Sequence, residues 1–321
     1  MRIELLSFVT LLGPIVLLAT GAGAQQKQLR EIRMSVFRVD AGNVVARARG
    51  LFAAEGLDVK VTNTPSSTEQ MRSLSKGAFE IVSTAFDNVL AWSGREGGEI
   101  VAIAQPIDRA MLPVYVRPEI HDWNDLRGKK LAADAVDTAY ALVLRRILLA
   151  HGLDLDRGDY ELVALGATEH RLESMKRGET FAAVLNPPFD AQAEAAGFVR
   201  FADQRSVLPN YTATVLAVNR AWAEKNRETV LAFLRAWLAG VRWVNDPTNR
   251  EEAIKLVGAR LKLNPKLAAE RVAEETATGA INVPGLDAVL NLRTQFGFKL
   301  PMGSDLKPYY DLGYYRAATG K

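Results

Sequence analysis

Two segments of this chain show the same succession of features, and this duplication most limits the folds available to it. Each has an amphipathic helix, a Gly-Leu-Asp turn, a strand, a helix ending in a basic residue and glycine, a buried strand and a polar loop. The landmarks are Gly56-Leu57-Asp58, Lys76-Gly77 and Phe86-Asp87 in the first segment, and Gly152-Leu153-Asp154, Arg177-Gly178 and Phe189-Asp190 in the second. A repeated α/β unit predicts two similar lobes with a ligand cleft between them. Chance similarity of short motifs is the alternative, but it does not explain the shared order.

The alternation of strands and helices predicts an α/β fold with a mostly parallel sheet, flanked by helices, in each lobe. Two extended segments, 112–116 and 212–218, flank the second unit, and we interpret them as the crossovers between the lobes. The first lobe then comprises 25–110 plus 214–321, with a helical C-terminal part, and the second lobe comprises 111–213.

The N-terminal 24 residues have the pattern of a secretory signal peptide. Arg2 precedes an apolar run over 5–19, and Ala22-Gly23-Ala24 offers a small-residue cleavage site before Gln25. The apolar run is short for a membrane span. We therefore expect export to the periplasm and cleavage after Ala24, with an uncleaved anchor as the alternative.

Composition excludes several classes of protein. The chain has no cysteine, which rules out disulfides, thiol catalysis and a lipid-anchored cysteine. The formal net charge of +3 is small and the charges are interspersed, so nothing predicts nucleic-acid binding. These features favour a free, soluble periplasmic protein, which we expect to be a monomer.

Catalytic and metal-binding patterns are scarce. The three histidines, His121, His151 and His170, lack the spacing of metal ligands. There is no phosphate-binding loop and no Gly-x-Ser-x-Gly motif. We therefore predict a protein that is not an enzyme and that has no metal and no cofactor.

Polar residues follow the predicted strands at their carboxyl ends, where α/β proteins bind ligands. Several could simply cap helices, and a phenylalanine among them could belong to the core. Their convergence on one cleft instead predicts a ligand site. The candidate residues are Arg38, Asp40, Asn43, Ser83, Thr84, Asp87, Asn88, Asp137, Thr138, Tyr140, Asn186, Phe189 and Tyr211.

This mixture of side chains suits a neutral or cationic ligand with a planar or apolar part. An amine could pair with Asp40, Asp87 or Asp137, whereas an anionic group could bind Arg38 and the N–H groups of helix N-termini.

Several segments also resemble periplasmic substrate-binding proteins of ABC importers, in the branch for nitrate, sulfonate, taurine and thiamine-pyrimidine ligands. Segment 46–59 (ARARGLFAAEGLDV) is similar to that family's "A-x-x-x-G-[FLY]-F-x-x-E-G-L-[DE]-V" signature. Segments 77–81 (GAFEI), 126–132 (LRGKKLA) and 215–219 (VLAVN) resemble its other motifs, in the right order. The resemblance implies a type II periplasmic-binding-protein fold that closes on a small molecule and delivers it to a permease in the inner membrane.

The chain departs from this family at two places. Segment 133–138 (ADAVDT) has two carboxylates where relatives have small anion-binding residues, and 185–188 reads LNPP instead of a "W-x-P" motif. The ligand therefore stays open among an anion, a pyrimidine, an amine and an aromatic acid. Two other functions stay open as well. One is an enzyme like the thiamine-pyrimidine synthases, which the lack of cysteine disfavours, and the other is a ligand-sensing adaptor for a membrane sensor kinase.

Overall fold

The computed structural model describes residues 28–108 and 112–320. The predicted signal peptide and its cleavage site lie outside these residues. Within them, no helix combines the length and the apolar character needed to cross a membrane.

Ten strands form two five-stranded sheets. The first sheet has the order β2-β1-β3-β10-β4 and the second β7-β6-β8-β5-β9. The strands are β1 (Arg30–Val36), β2 (Leu57–Asn63), β3 (Ile81–Ala85), β4 (Ile100–Ile107), β5 (Pro113–Val116), β6 (Lys130–Ala133), β7 (Glu161–Ala164), β8 (Ala182–Val184), β9 (Val199–Asp203) and β10 (Thr214–Asn219).

Thirteen α-helices flank these sheets in the described part of the chain. They are α1 (Ala41–Ala48), α2 (Leu51–Ala54), α3 (Ser67–Ser75), α4 (Phe86–Trp92), α5 (Ala139–Ala150), α6 (Thr168–Lys176), α7 (Phe189–Ala195), α8 (Arg220–Lys225), α9 (Arg227–Asn245), α10 (Arg250–Leu261), α11 (Pro265–Ala273), α12 (Val283–Gln295) and α13 (Leu312–Thr319).

The duplicated unit predicted from the sequence is present in both lobes. Strands β1, β2 and β3 pair in parallel in the order 2-1-3, and β6, β7 and β8 repeat this arrangement. The matching glycines Gly56 and Gly152 follow equivalent helices, and both have a left-handed φ, of 78° and 79°. Because only glycine adopts this conformation without steric cost, it ends each helix at the same point of the unit. The two-lobed α/β fold is confirmed.

Each sheet is mixed, because one of its strands arrives from the other lobe and runs antiparallel to its neighbours. These strands are β5 in the second sheet and β10 in the first. The segments interpreted as crossovers therefore consist mostly of sheet strands. The chain changes lobe just before each of them, between β4 and β5 and between β9 and β10. The proposed lobe boundaries at 110/111 and 213/214 stay a prediction.

The C-terminal helices complete the first lobe and also reach the second. The apolar stripe of α9 is buried against α1 and the first sheet, with Trp237 and Phe233 fully inaccessible. Helix α12 packs against α4 of the first lobe and α5 of the second, and Thr212 in the second crossover donates its N–H to the Gly285 carbonyl. One apolar core cluster consequently contains residues of both lobes.

Candidate functional site

A cavity lies between the two lobes and has walls from both of them and from both crossovers. The unfilled space between the lining residues measures about 630 Å³, and this figure includes space that is open to solvent. The residues that line it are Phe37, Arg38, Ser67, Ser83, Thr84, Ala85, Asn88, Ile107, Leu112, Asp134, Ala139, Tyr140, Asn186, Tyr211, Ala213 and Thr214.

The wall from the first lobe is built where β3 gives way to α4. Thr84 and Asn88 lie one helical turn apart, and Asn88 Nδ2 donates to Thr84 Oγ1 at 3.0 Å. The same amide donates to Ser67 Oγ, at the first turn of α3, at 3.2 Å. Neutral hydroxyl and amide groups therefore form this wall, and their hydrogen bonds to one another fix their positions.

The wall from the second lobe begins with Asp134, directly after β6. Its Oδ2 accepts a hydrogen bond from Ser67 Oγ across the cavity at 2.6 Å. Its Oδ1 accepts from the hydroxyl of Thr138, the N-cap residue of α5. Both oxygens of this carboxylate are therefore engaged, and one of their bonds joins the two lobes.

Aromatic rings supply the apolar part of the lining. The rings of Phe37 and Tyr140, one from each lobe, have centroids 6.2 Å apart. Tyr211 lies between β9 and β10, directly before the second crossover, and its buried hydroxyl has no hydrogen-bond partner among the described residues. Burial raises the pKa of both tyrosines, so their hydroxyl groups are protonated donors.

Arg38 lines the cavity and belongs to an ion-pair network at its edge. Its Nη1 contacts Glu274 Oε2 at 2.7 Å, and the same oxygen accepts from Arg271 Nη1 at 2.7 Å. Arg271 Nη2 also reaches Asp190 Oδ2, on α7 of the second lobe, at 3.1 Å. The network thus extends from the cavity across the gap between the lobes.

Seven of the thirteen predicted site residues line this cavity, and their contact with a ligand stays a prediction. They are Arg38, Ser83, Thr84, Asn88, Tyr140, Asn186 and Tyr211. The structure places the other six elsewhere.

Two of these six have roles at the start of α1. Asp40 is its N-cap residue, and its Oδ1 accepts from the N–H of Asn43 at 2.8 Å and from Trp237 Nε1 at 2.9 Å. Burial raises the pKa of Asp40. Asn43 is itself inaccessible and lies against Met34. Capping accounts for Asp40 without a ligand.

Asp87 and Asp137 are associated with one arginine of α12. Arg293 Nη1 contacts Asp87 Oδ2 at 2.8 Å and donates to the Asp137 carbonyl at 2.9 Å. Asp137 lines a different pocket, together with Trp92 and Arg95. Consequently, none of the three carboxylates proposed as amine partners lines the inter-lobe cavity, whereas Asp134 does.

Thr138 and Phe189 complete the six. Thr138 supports Asp134, as described above, while its own side chain is buried at the start of α5. Phe189 packs against the core of the second lobe, in the cluster that contains Tyr115 and Leu172.

Nine lining residues were not among the candidates. Most are apolar or small and give no sequence signal for binding, but Ser67 and Asp134 could have been found because each follows a strand at its carboxyl end. These residues are Phe37, Ser67, Ala85, Ile107, Leu112, Asp134, Ala139, Ala213 and Thr214. Across the described ranges, no group of three or more potential metal ligands comes together.

Two α/β lobes joined by two crossovers around one cavity define the architecture of the periplasmic binding proteins. Solved structures share it. The alkanesulfonate-binding protein SsuA of Xanthomonas axonopodis pv. citri, bound to MOPS, is 15% identical with a TM-score of 0.69, over 84% of this chain and 93% of that one. The periplasmic nitrate-binding protein NrtA of Synechocystis PCC 6803 is 13% identical with a TM-score of 0.73, over 91% and 89%.

Residues 30–258 match the model of the NMT1-like family, and the chain belongs to that family. The bicarbonate-binding protein CmpA of a Synechococcus species is 22% identical over 272 residues. That match covers 75% of this chain but only 60% of the relative. The relationship to this branch of substrate-binding proteins, expected from the sequence, is confirmed.

Proposed function

We propose that this protein is the solute-binding component of an ABC importer. It is exported by the signal peptide over 1–24, captures a small molecule between its lobes as a monomer, and delivers it to a permease in the inner membrane. The observation that carries this proposal is the cavity, because its lining comes from both lobes and both crossovers. Such a site forms only when the lobes come together.

Closure of the lobes is the proposed mechanism of capture. Polar contacts already join the lobes, among them Ser67 to Asp134 at 2.6 Å, Arg271 to Asp190 at 3.1 Å and Arg293 to the Asp137 carbonyl at 2.9 Å. A ligand in the cavity adds contacts to both walls at once. It therefore binds the closed state more tightly than the open one and shifts the population towards closure.

The lining favours a small organic acid with an apolar or aromatic body. Phe37, Tyr140 and Tyr211 provide ring surfaces for the body. The relatives named above bind bicarbonate, alkanesulfonate and nitrate, all of them anions. All are named as binding proteins, and no catalytic step is part of this proposal.

A second cavity adjoins the first at Phe37 and Arg38 and supports an anionic ligand. Its lining includes Arg38, Arg260, Lys262 and Arg271, and no acidic side chain of the described residues lines it. Arg260 and Lys262 have no ion pair within the described ranges. A basic entrance of this kind raises the local concentration of anions and their rate of association.

The test is a thermal-shift screen followed by small-angle scattering. The screen includes nitrate, bicarbonate, aliphatic and aromatic sulfonates, aromatic acids, pyrimidines and polyamines. A ligand at about 100 times its dissociation constant should add about 2.7 kcal/mol of stability. The best ligand should also make the molecule more compact. Tighter binding of an amine than of any acid would contradict the ligand class, and an unchanged scattering profile at saturation would contradict closure. Loss of uptake of that ligand on deletion of the gene would separate transport from sensing.

A further inference from the structure

A chain of three hydrogen-bonded side chains runs from a buried guanidinium to the wall of the cavity in the second lobe. Arg171 Nη2, on α6, donates to the hydroxyl of Thr168 at 2.5 Å. The Thr168 hydroxyl in turn donates to Oδ1 of Asn186, which lines the cavity after β8. All three side chains are buried, and Arg171 is completely inaccessible.

The chemistry of the three groups fixes the direction of this chain. A guanidinium only donates, so the Thr168 oxygen must accept from Arg171. The single hydroxyl proton of Thr168 then has one acceptor among the described residues, Asn186 Oδ1. If the Asn186 amide were rotated, that proton would lose its acceptor, which is costly in a buried site. The amide nitrogen of Asn186 is therefore the group presented to the cavity, and it has no acceptor in the described part of the chain.

The positive charge of Arg171 is not neutralised by any paired carboxylate among the described residues. Its Nε and Nη1 atoms are buried and have no hydrogen-bond partner within residues 28–108 and 112–320. The guanidinium carbon lies 5.1 Å from the ring centroid of Tyr140, a lining residue, so the charge lies directly behind the cavity wall. Asp134 acts on it only through space, and both Asp134 oxygens bind hydroxyl groups. Because a buried cation without a directly paired anion is unfavourable, a negative group of a ligand in the cavity would add to the through-space stabilisation that Asp134 provides.

We infer that Arg171 and Thr168 are positioning residues that hold Asn186 as a hydrogen-bond donor towards the cavity. The acidic head group of the ligand then binds at this wall. The inference rests on the function proposed above and deepens it. The site selects an oxyanion, such as a carboxylate or a sulfonate, over the uncharged amide of the same shape. The carbonyl oxygen of an amide could also accept from Asn186, but an amide has no negative charge to stabilise the guanidinium of Arg171.

Melting temperature provides the first test and needs no ligand. In Arg171→Met the buried charge is replaced by an apolar side chain of similar length. If no group of the protein neutralises the charge of Arg171, the melting temperature of this variant should equal or exceed that of the parent. A fall of several degrees would show that Arg171 is a structural residue and would overturn the inference.

Calorimetric titration with matched pairs of probes provides the second test. The pairs are benzoate with benzamide and benzenesulfonate with benzenesulfonamide. The parent protein should bind the acid of a pair at least tenfold more tightly than the amide. Thr168→Val keeps the side-chain shape but removes the hydroxyl, so Asn186 can rotate and the preference for the acid should fall severalfold. The conservative Thr168→Ser should retain it.

The outcomes separate this inference from the proposed function. Binding without preference by the parent, or an unchanged preference in Thr168→Val, overturns the roles of Arg171 and Thr168 while solute binding stands. Failure of the parent to bind any of the four probes overturns the proposed ligand class, and this inference falls with it.

Discussion

The buried carboxyl group of Asp87 is expected to make the stability of this protein depend on pH. Asp87 and Arg293 are both inaccessible, and a single contact of 2.8 Å joins Asp87 Oδ2 to Arg293 Nη1. Asp87 Oδ1 has no partner among the described residues. Burial raises the pKa of Asp87 from 3.8 to about 6, because removal of the carboxylate from water outweighs that one contact. The nearby carboxylates of Asp137 and Asp134 add to the rise.

The direction of the pH effect follows from this pKa. A carboxyl group with a higher pKa in the folded chain than in the unfolded chain holds its proton more tightly when folded. Its contribution to stability is therefore complete below pH 3.8 and is lost as the pH rises through about 6. A difference of about two pKa units corresponds to about 3 kcal/mol. In Asp87→Asn the side chain is neutral at every pH, so this variant should be up to about 3 kcal/mol more stable than the parent at neutral pH.

Urea unfolding followed by circular dichroism, at several pH values between about 4 and 7, measures this difference. The other titrating groups are common to both proteins, so their contributions cancel in the difference between the two free energies of unfolding. The control is Asp287→Asn, because Asp287 is exposed on the same helix as Arg293 and has no ion pair within the described residues. It should follow the parent at every pH. If Asp87→Asn instead becomes the less stable protein as the pH rises, or if the difference does not change, the contact with Arg293 outweighs burial and the reasoning is refuted.

Three further predictions concern Asp203 at the end of β9, the packing of α9 in the first lobe and Tyr211 in the cavity. Hydrogen bonds, above all from Arg205, lower the pKa of Asp203 to about 2, so its contribution is present above pH 3.8 and is lost as the pH falls to about 2. Because Arg200 and Arg205 are exposed and solvent screens their charges, Asp203→Asn should lose about 1 kcal/mol in urea unfolding at neutral pH, and a loss that persists at pH 2 would contradict this cause. A Cβ atom on Gly240 would lie 2.3 Å from the Gly42 carbonyl oxygen. Gly240→Ala should therefore push α9 away from α1 and lower the free energy of unfolding by about 1–3 kcal/mol. Unchanged stability would contradict this packing. Tyr211→Phe removes a buried hydroxyl that has no partner in the described part of the chain, and it should raise the free energy of unfolding of the ligand-free protein by about 1 kcal/mol. A fall would indicate a partner for that hydroxyl.

The sequence predicted those parts of the fold that depend on local pattern. Gly56 and Gly152 end equivalent helices because each occupies a left-handed position, and the order of elements around them determines the parallel part of both sheets. The segments predicted as crossovers lie a few residues too late in the chain, because the chain changes lobe just before each of them. An extended apolar segment such as 113–116 has the same pattern whether it connects two lobes or pairs with neighbours inside a sheet.

The candidate site could be predicted only in part, because the partners that decide its membership are distant in sequence. Asp40 and Asp87 follow strands, as ligand-binding residues do, yet they bind Trp237 and Arg293 of the C-terminal helices. Those helices do not belong to the repeated unit, so the repeat gives no information about where they pack. The burial of the Arg171 guanidinium could not be predicted from the sequence, because an arginine in a helix is normally exposed.

The equivalent acids of the two units show how the C-terminal helices make the halves of the molecule unequal. Asp87 and Asp190 occupy the same place in the repeat, each directly after the phenylalanine that begins α4 or α7. Each pairs with an arginine of a C-terminal helix, Asp87 with Arg293 of α12 and Asp190 with Arg271 of α11. The first pair is fully buried beside the second crossover. The second pair is partly accessible, and α11 packs through α10 onto α1 of the first lobe, so this pair spans the gap between the lobes. Separation of the lobes must therefore break the contact of Asp190, whereas Asp87 and Arg293 can stay together at the crossover.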